Sequence, residues 1–145
     1  MNDLIPDTEK SLSIKNSIDT LSLHNGILLM IENQKNSLTC IEKVVKDIEL
    51  VSELILARLK RSNSSRLIYC GAGTSARIGV QDGVELYPTF GWKKNRVDFI
   101  IAGGKKALLE SVENAEDDKY DAYKQVIDLG VSKTDVVIGL AFIKS

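Results

Sequence analysis

The stretch that decides the fold is Leu67–Val80, "LIYCGAGTSARIGV". A short run suited to a buried strand enters glycines 71 and 73, and a helical sequence begins near Ser75. A strand that passes through a glycine turn into a helix is the start of a βαβ unit. Two more β-type runs follow, "VDFIIAG" at Val97–Gly103 and "VVIGLAF" at Val136–Phe142. The sequence between them predicts helices over about Ser75–Glu85, Lys105–Val112 and Asp118–Asp128, the last stopped by Gly130. The expected fold class is therefore α/β, with a three-stranded parallel sheet and crossover helices. The chain ends at Ser145, where a further ligand-bearing loop would be expected.

Upstream of this stretch the character changes. Only Gly26 precedes residue 71, whereas the other nine glycines fall between Gly71 and Gly139. The polar run "RSNSS" at Arg61–Ser65 marks the boundary, dividing an N-terminal helical segment, 1–65, from a sheet domain, 66–145. Ile41, Val44, Val45, Ile48, Val51, Ile55 and Leu56 recur mostly at spacings of three and four, the pattern of one face of a long helix. Leu21–Ile31 is apolar enough to be its partner, and together they predict an antiparallel helical hairpin. Its apolar stripe needs cover from elsewhere in the protein or from a second subunit, which makes a homodimer the expected assembly.

Composition excludes several function classes. The 145 residues are 43% hydrophobic and 27% charged, which is globular rather than disordered. With 19 basic against 20 acidic residues, net charge −1, nucleic acid is not expected as a partner. The longest apolar runs, at Gly26–Ile31 and Val136–Ile143, fall far short of a membrane span of about 20 residues. The acidic start "MNDLIPDTEK" does not suit a signal peptide, so a cytoplasmic location is expected. Cys40 and Cys70 lie far apart and His24 is alone, so no metal and no cofactor is expected, and both cysteines read as buried packing residues.

The glycine turn is the strongest chemical signal. Gly71 and Gly73 let the backbone approach a ligand, and the hydroxyls of Thr74 and Ser75 join the free amides of a helix start in donating to one anion, such as the phosphate of a phosphosugar. The same residues also suit a plain strand-to-helix turn, and the spacing matches neither GxxxxGK[ST] nor the strict GxGxxG pattern. Two acidic stretches follow. Glu85 stands about three helical turns after the loop. "SVENAEDD" holds Glu113 and Glu116, which share a face if a helix continues that far. Such carboxylates can act as a general acid and a general base, or simply be solvated surface charges.

Taken in order, "GAGTSARIGVQDGVELYPTFGW", "IAGG" at Ile101–Gly104 and "VENAED" at Val112–Asp117 resemble the N-acetylmuramic acid 6-phosphate etherases, which have the sugar isomerase (SIS) fold. Weaker similarity runs upstream through Thr8, Glu9 and "IDTLS" at Ile18–Ser22. The resemblance implies cleavage of the lactyl ether of N-acetylmuramic acid 6-phosphate by elimination from the open-chain sugar. Water then adds to give N-acetylglucosamine 6-phosphate and D-lactate. By position it implies that Glu85 protonates the departing ether oxygen, that Glu116 is the base at C2, and that Gly71, Gly73, Thr74 and Ser75 hold the sugar phosphate. Ala76 stands where the family has glycine, Val84 where it has serine, and Leu86 and Tyr87 where it has Cys-Pro. The family also continues past the third strand into a "SGRTP"-like second ligand loop, so the resemblance covers an N-terminal half and a partial SIS domain. An etherase or a piece of one, a phosphosugar-binding regulator such as the glucokinase regulatory proteins, and an inactive remnant all fit. Glu85 favours the enzyme.

Overall fold

The computed structural model describes residues 17–141. Thr8, Glu9 and Phe142 of the motifs above lie outside them. The element order is α1 (Leu23–Lys43), α2 (Val45–Lys60), β1 (Leu67–Gly71), α3 (Gly73–Phe90), β2 (Val97–Ile101), α4 (Lys119–Asp128) and β3 (Val136–Leu140). Contacts divide the chain into two units after Val51.

In the first unit, the Ser22 hydroxyl accepts from the Asn25 amide and caps α1. Helices are present as expected, but their junction is not a hairpin. Only Val44 separates α1 from α2. Its amide donates to Ile41, and its carbonyl accepts from Asp47 and Ile48, so hydrogen bonding runs across the break. An antiparallel return needs a loop of about two to five residues, and none intervenes. The apolar spacing of three and four is helical on both sides of Val44, but it cannot by itself report that the expected long helix breaks there, inside the stripe Ile41–Leu56. Cys40 corrects a second expectation, since it is exposed on α1, while Cys70 in β1 is half-buried and its thiol is pushed up by that burial.

The second unit is built on a sheet of order β2-β1-β3, parallel throughout, which bears out the expected α/β class. Leu67 pairs with Val97 and Val136, and Gly71 with Ile101 and Leu140. As the central strand, β1 holds Leu67, Ile68 and Tyr69 buried. One sheet face carries Tyr69, Phe99 and Ile101, and α3 lays Ala76, Gly79 and Gly83 upon it. Small residues bring that helix close: a Cβ on Gly83 would stand 2.7 Å from Phe99. Tyr69 and Phe99 stack at 5.9 Å, and Leu59 at the end of α2 packs on Tyr69 and Leu67. Each such buried large side chain contributes roughly 1.5–3 kcal/mol.

Arg66 anchors the amino ends of the strands. Its guanidinium reaches Asp98 at 3.0 Å and Asp135 at 2.8 Å, and donates to the carbonyls of Leu129 and Gly130. One side chain thus ties the base of all three strands to the end of α4.

Candidate functional site

The carboxyl ends of the strands form the site. β1 ends at Gly71, where a Cβ would lie 2.6 Å from the carbonyl of Leu140, so glycine is required there by the neighbouring strand. Ala72 turns the chain with no side-chain cap, and α3 starts at Gly73, whose φ of +54° favours glycine. The Ala76 amide is the first on the helix to find a backbone carbonyl, that of Ala72. The amides of Gly73, Thr74 and Ser75 therefore belong to the unpaired first turn of an 18-residue helix, where an anion is favoured by both the free N–H groups and the helix dipole. Ala76 is buried against Ile101 and Ala107, so the residue where the family has glycine is a packing contact between helix and sheet.

A groove of about 720 Å³ opens over this loop, and Gly71, Gly73, Thr74 and Ser75 all line it. Across it stand Glu116 and Asp118, with Ile100 and Gly139 of the sheet and Gln125 of α4 completing the floor. A second cavity of about 340 Å³ shares Gly73 and Glu116 and adds Arg77 and Glu113. The loop and Glu116 thus face common space.

Glu116 arrives there without the expected helix. The sequence predicts a helix over Lys105–Val112, but only a short 3-10 turn forms at Gly104–Leu108. Arg77 supplies the reason. Its Nε donates to the Ala107 carbonyl at 2.9 Å, the acceptor that a continuing α-helix would use, and its Nη2 to the Glu110 carbonyl at 3.0 Å. The chain then passes through Asn114, φ +58°, into a second 3-10 turn at Ala115–Asp117. Asp118 caps α4 by accepting from the Asp121 amide at 2.9 Å.

Glu85 is not brought to this groove. It is exposed on α3, twelve residues past Gly73 and so about 18 Å along the helix axis. It lines neither cavity that holds Glu116. The helix runs to Phe90, beyond the expected end at Glu85, and stops at Gly91 in the left-handed conformation.

Two residues given no role by the sequence motifs also line these cavities. Gln125 accepts from the Ile101 amide at 3.1 Å and donates to the Ile101 carbonyl at 2.8 Å, acting as a strand partner at the outer edge of β2. Arg77 is the other. A glutamine in a helix carries no local signal, whereas an arginine just behind a glycine loop is a local one.

Among the described residues no group of three His, Cys, Asp or Glu is gathered for a metal, and no helix is long and apolar enough to cross a membrane.

The sequence profile of the glucokinase regulatory protein N-terminal SIS domain matches residues 48–143. The chain is similar to an N-acetylmuramic acid 6-phosphate etherase of Christiangramia forsetii, 41% identical over 97% of this chain and 50% of that protein. An etherase of Geobacillus thermodenitrificans is 39% identical over 92% of this chain and 45% of that protein. One of Clostridioides difficile is 39% identical over 80% of this chain and 38% of that protein. The chain spans about half the length of the curated relatives it matches, and it corresponds to their N-terminal half.

Proposed function

This chain belongs to the glucokinase regulatory protein N-terminal SIS domain family, and from that premise we propose that it is the phosphosugar-binding half of an N-acetylmuramic acid 6-phosphate etherase acting in the cytoplasm. The observation that carries the reading is the groove that Gly73, Thr74 and Ser75 share with Glu116. A sugar phosphate held by the first turn of α3 would direct its carbon chain across the groove toward Glu116. There a carboxylate can take the C2 proton of the open-chain sugar, and the electron pair expels the ether oxygen as it gains a proton. Addition of water completes N-acetylglucosamine 6-phosphate and D-lactate.

The acid for the ether oxygen is Glu85 in this proposal. Within one copy it is too far away, so the proposal requires a homodimer in which a neighbouring copy brings it close, withdrawn from water as a general acid must be. The separation also favours a second reading, a phosphosugar-binding protein without turnover. Calorimetric titration with N-acetylglucosamine 6-phosphate tests binding, and a D-lactate assay with N-acetylmuramic acid 6-phosphate tests catalysis. This chain alone is expected to bind weakly and to release little or no lactate. No binding at millimolar ligand would overturn the reading. Robust turnover, lost in both Glu85→Gln and Glu116→Gln, would show that these residues suffice without the rest of an etherase.

A further inference from the structure

Arg77 lies one helical turn beyond Gly73, half-buried, and both of its hydrogen bonds leave its own helix. The two acceptors, the carbonyls of Ala107 and Glu110, open the segment that leads through Ser111 and Asn114 to Glu116. Val112 packs on the cluster of Ala76, Ile101 and Ala107, but among the described residues the hydrogen bonds between this segment and α3 are those of Arg77, because residues 109–114 form neither helix nor strand and the Leu109 and Glu110 amides bond only locally to Lys106. Two carbonyls three residues apart suit a planar fork with two donors, which lysine lacks.

We propose that Arg77 is a positioning residue of the phosphosugar site, fixing the segment that bears Glu116 at a set distance from the loop Gly73–Ser75. The proposal rests on the phosphosugar reading above. It differs from a phosphate-binding arginine, since the guanidinium is committed to carbonyls on the far segment. A ligand that touches only the loop should ignore its loss, whereas one that reaches across to Glu116 should not.

The full chain, Arg77→Met and the milder Arg77→Lys are compared with two probes, inorganic phosphate and N-acetylglucosamine 6-phosphate, and by amide hydrogen exchange without ligand. Phosphate affinity should stay within about twofold, while sugar phosphate affinity should fall about tenfold in Arg77→Met and less, in the same direction, in Arg77→Lys. Exchange at the Leu109 and Glu110 amides should quicken about tenfold or more while β1 keeps its protection. Equal loss of both affinities, or no loss of either, overturns the proposal. So does unchanged exchange at Leu109 and Glu110. Should Arg77→Met unfold, shown by lost protection in β1, Arg77→Lys carries the comparison. If the full chain binds neither probe, the phosphosugar reading fails, and exchange alone decides whether Arg77 holds the segment.

Discussion

Ser65 is fully buried, yet its hydroxyl has no hydrogen-bond partner. Its backbone is well used, because the amide donates to Ser62 and the carbonyl accepts from Arg96 at 2.7 Å. Only the Oγ is stranded, so Ser65→Ala is expected to raise stability by about 1 kcal/mol, seen as a higher midpoint in urea. Asp135 is the opposite case, a buried carboxylate with every contact satisfied. Its side chain is 2% exposed, and burial works to raise its pKa. The Arg66 guanidinium and the amides of Ser132 and Arg66 outweigh this and hold the carboxyl well below the usual carboxylate range. The unfolded chain therefore binds the proton more tightly. The stabilisation is complete above the unfolded value near pH 4 and is lost as pH falls below it. Asp135→Asn should cost about 3 kcal/mol at neutral pH by leaving Arg66 short of a partner. Denaturant titrations from about pH 6 down to pH 2 should show the gap between the two chains closing; a constant gap would mean that the Arg66 pair does not control the acid limb.

The elements most legible in the sequence were those fixed by local pattern. All three strands begin at the expected residues, Leu67, Val97 and Val136, because each apolar run starts abruptly after polar residues. α4 matches within a residue, with Asp118 as its cap. What could not be read depends on distant partners. The helix predicted after Lys105 is replaced by a 3-10 turn because a side chain from α3 takes its carbonyls. The candidate site is half legible for the same reason: the strand-turn-helix geometry of the glycine loop is local, while the separation of Glu85 from Glu116 is a matter of tertiary distance. The clamp between α4 and β2 is also tertiary. Gln125 satisfies both backbone groups of Ile101 and donates to Asp121 at 2.7 Å. Gln125→Leu strands these groups at a sheet edge and should cost about 2 kcal/mol in urea unfolding, with exchange at the Ile101 amide rising most.

At the scale of the whole molecule, two surfaces invite self-association, and they predict different products. One is the outer edge of β3, which has no strand partner among the described residues, and Val137 on that strand is half exposed. Open strand edges join to further edges, which gives heterogeneous assemblies. The other is α1, where Ile27, Ile31, Leu38 and Ile41 are 47–63% exposed. With Gln34 they fall at alternating steps of four and three, the repeat of a helix-to-helix seam, and a single polar residue in such a seam favours one register. A seam of this kind pairs with its own copy and then closes, so a discrete dimer is the expected product. The outer edge of β2 is partly plugged by Gln125, which leaves β3 as the competing route. Sedimentation equilibrium at about 100 μM should therefore show a dimer, with Leu38→Glu shifting its dissociation constant on the order of 100-fold and Val137→Lys leaving it unchanged. A wild-type monomer at that concentration, or association relieved by Val137→Lys instead, would assign the contact to the sheet edge and remove the seam's support for a dimeric site.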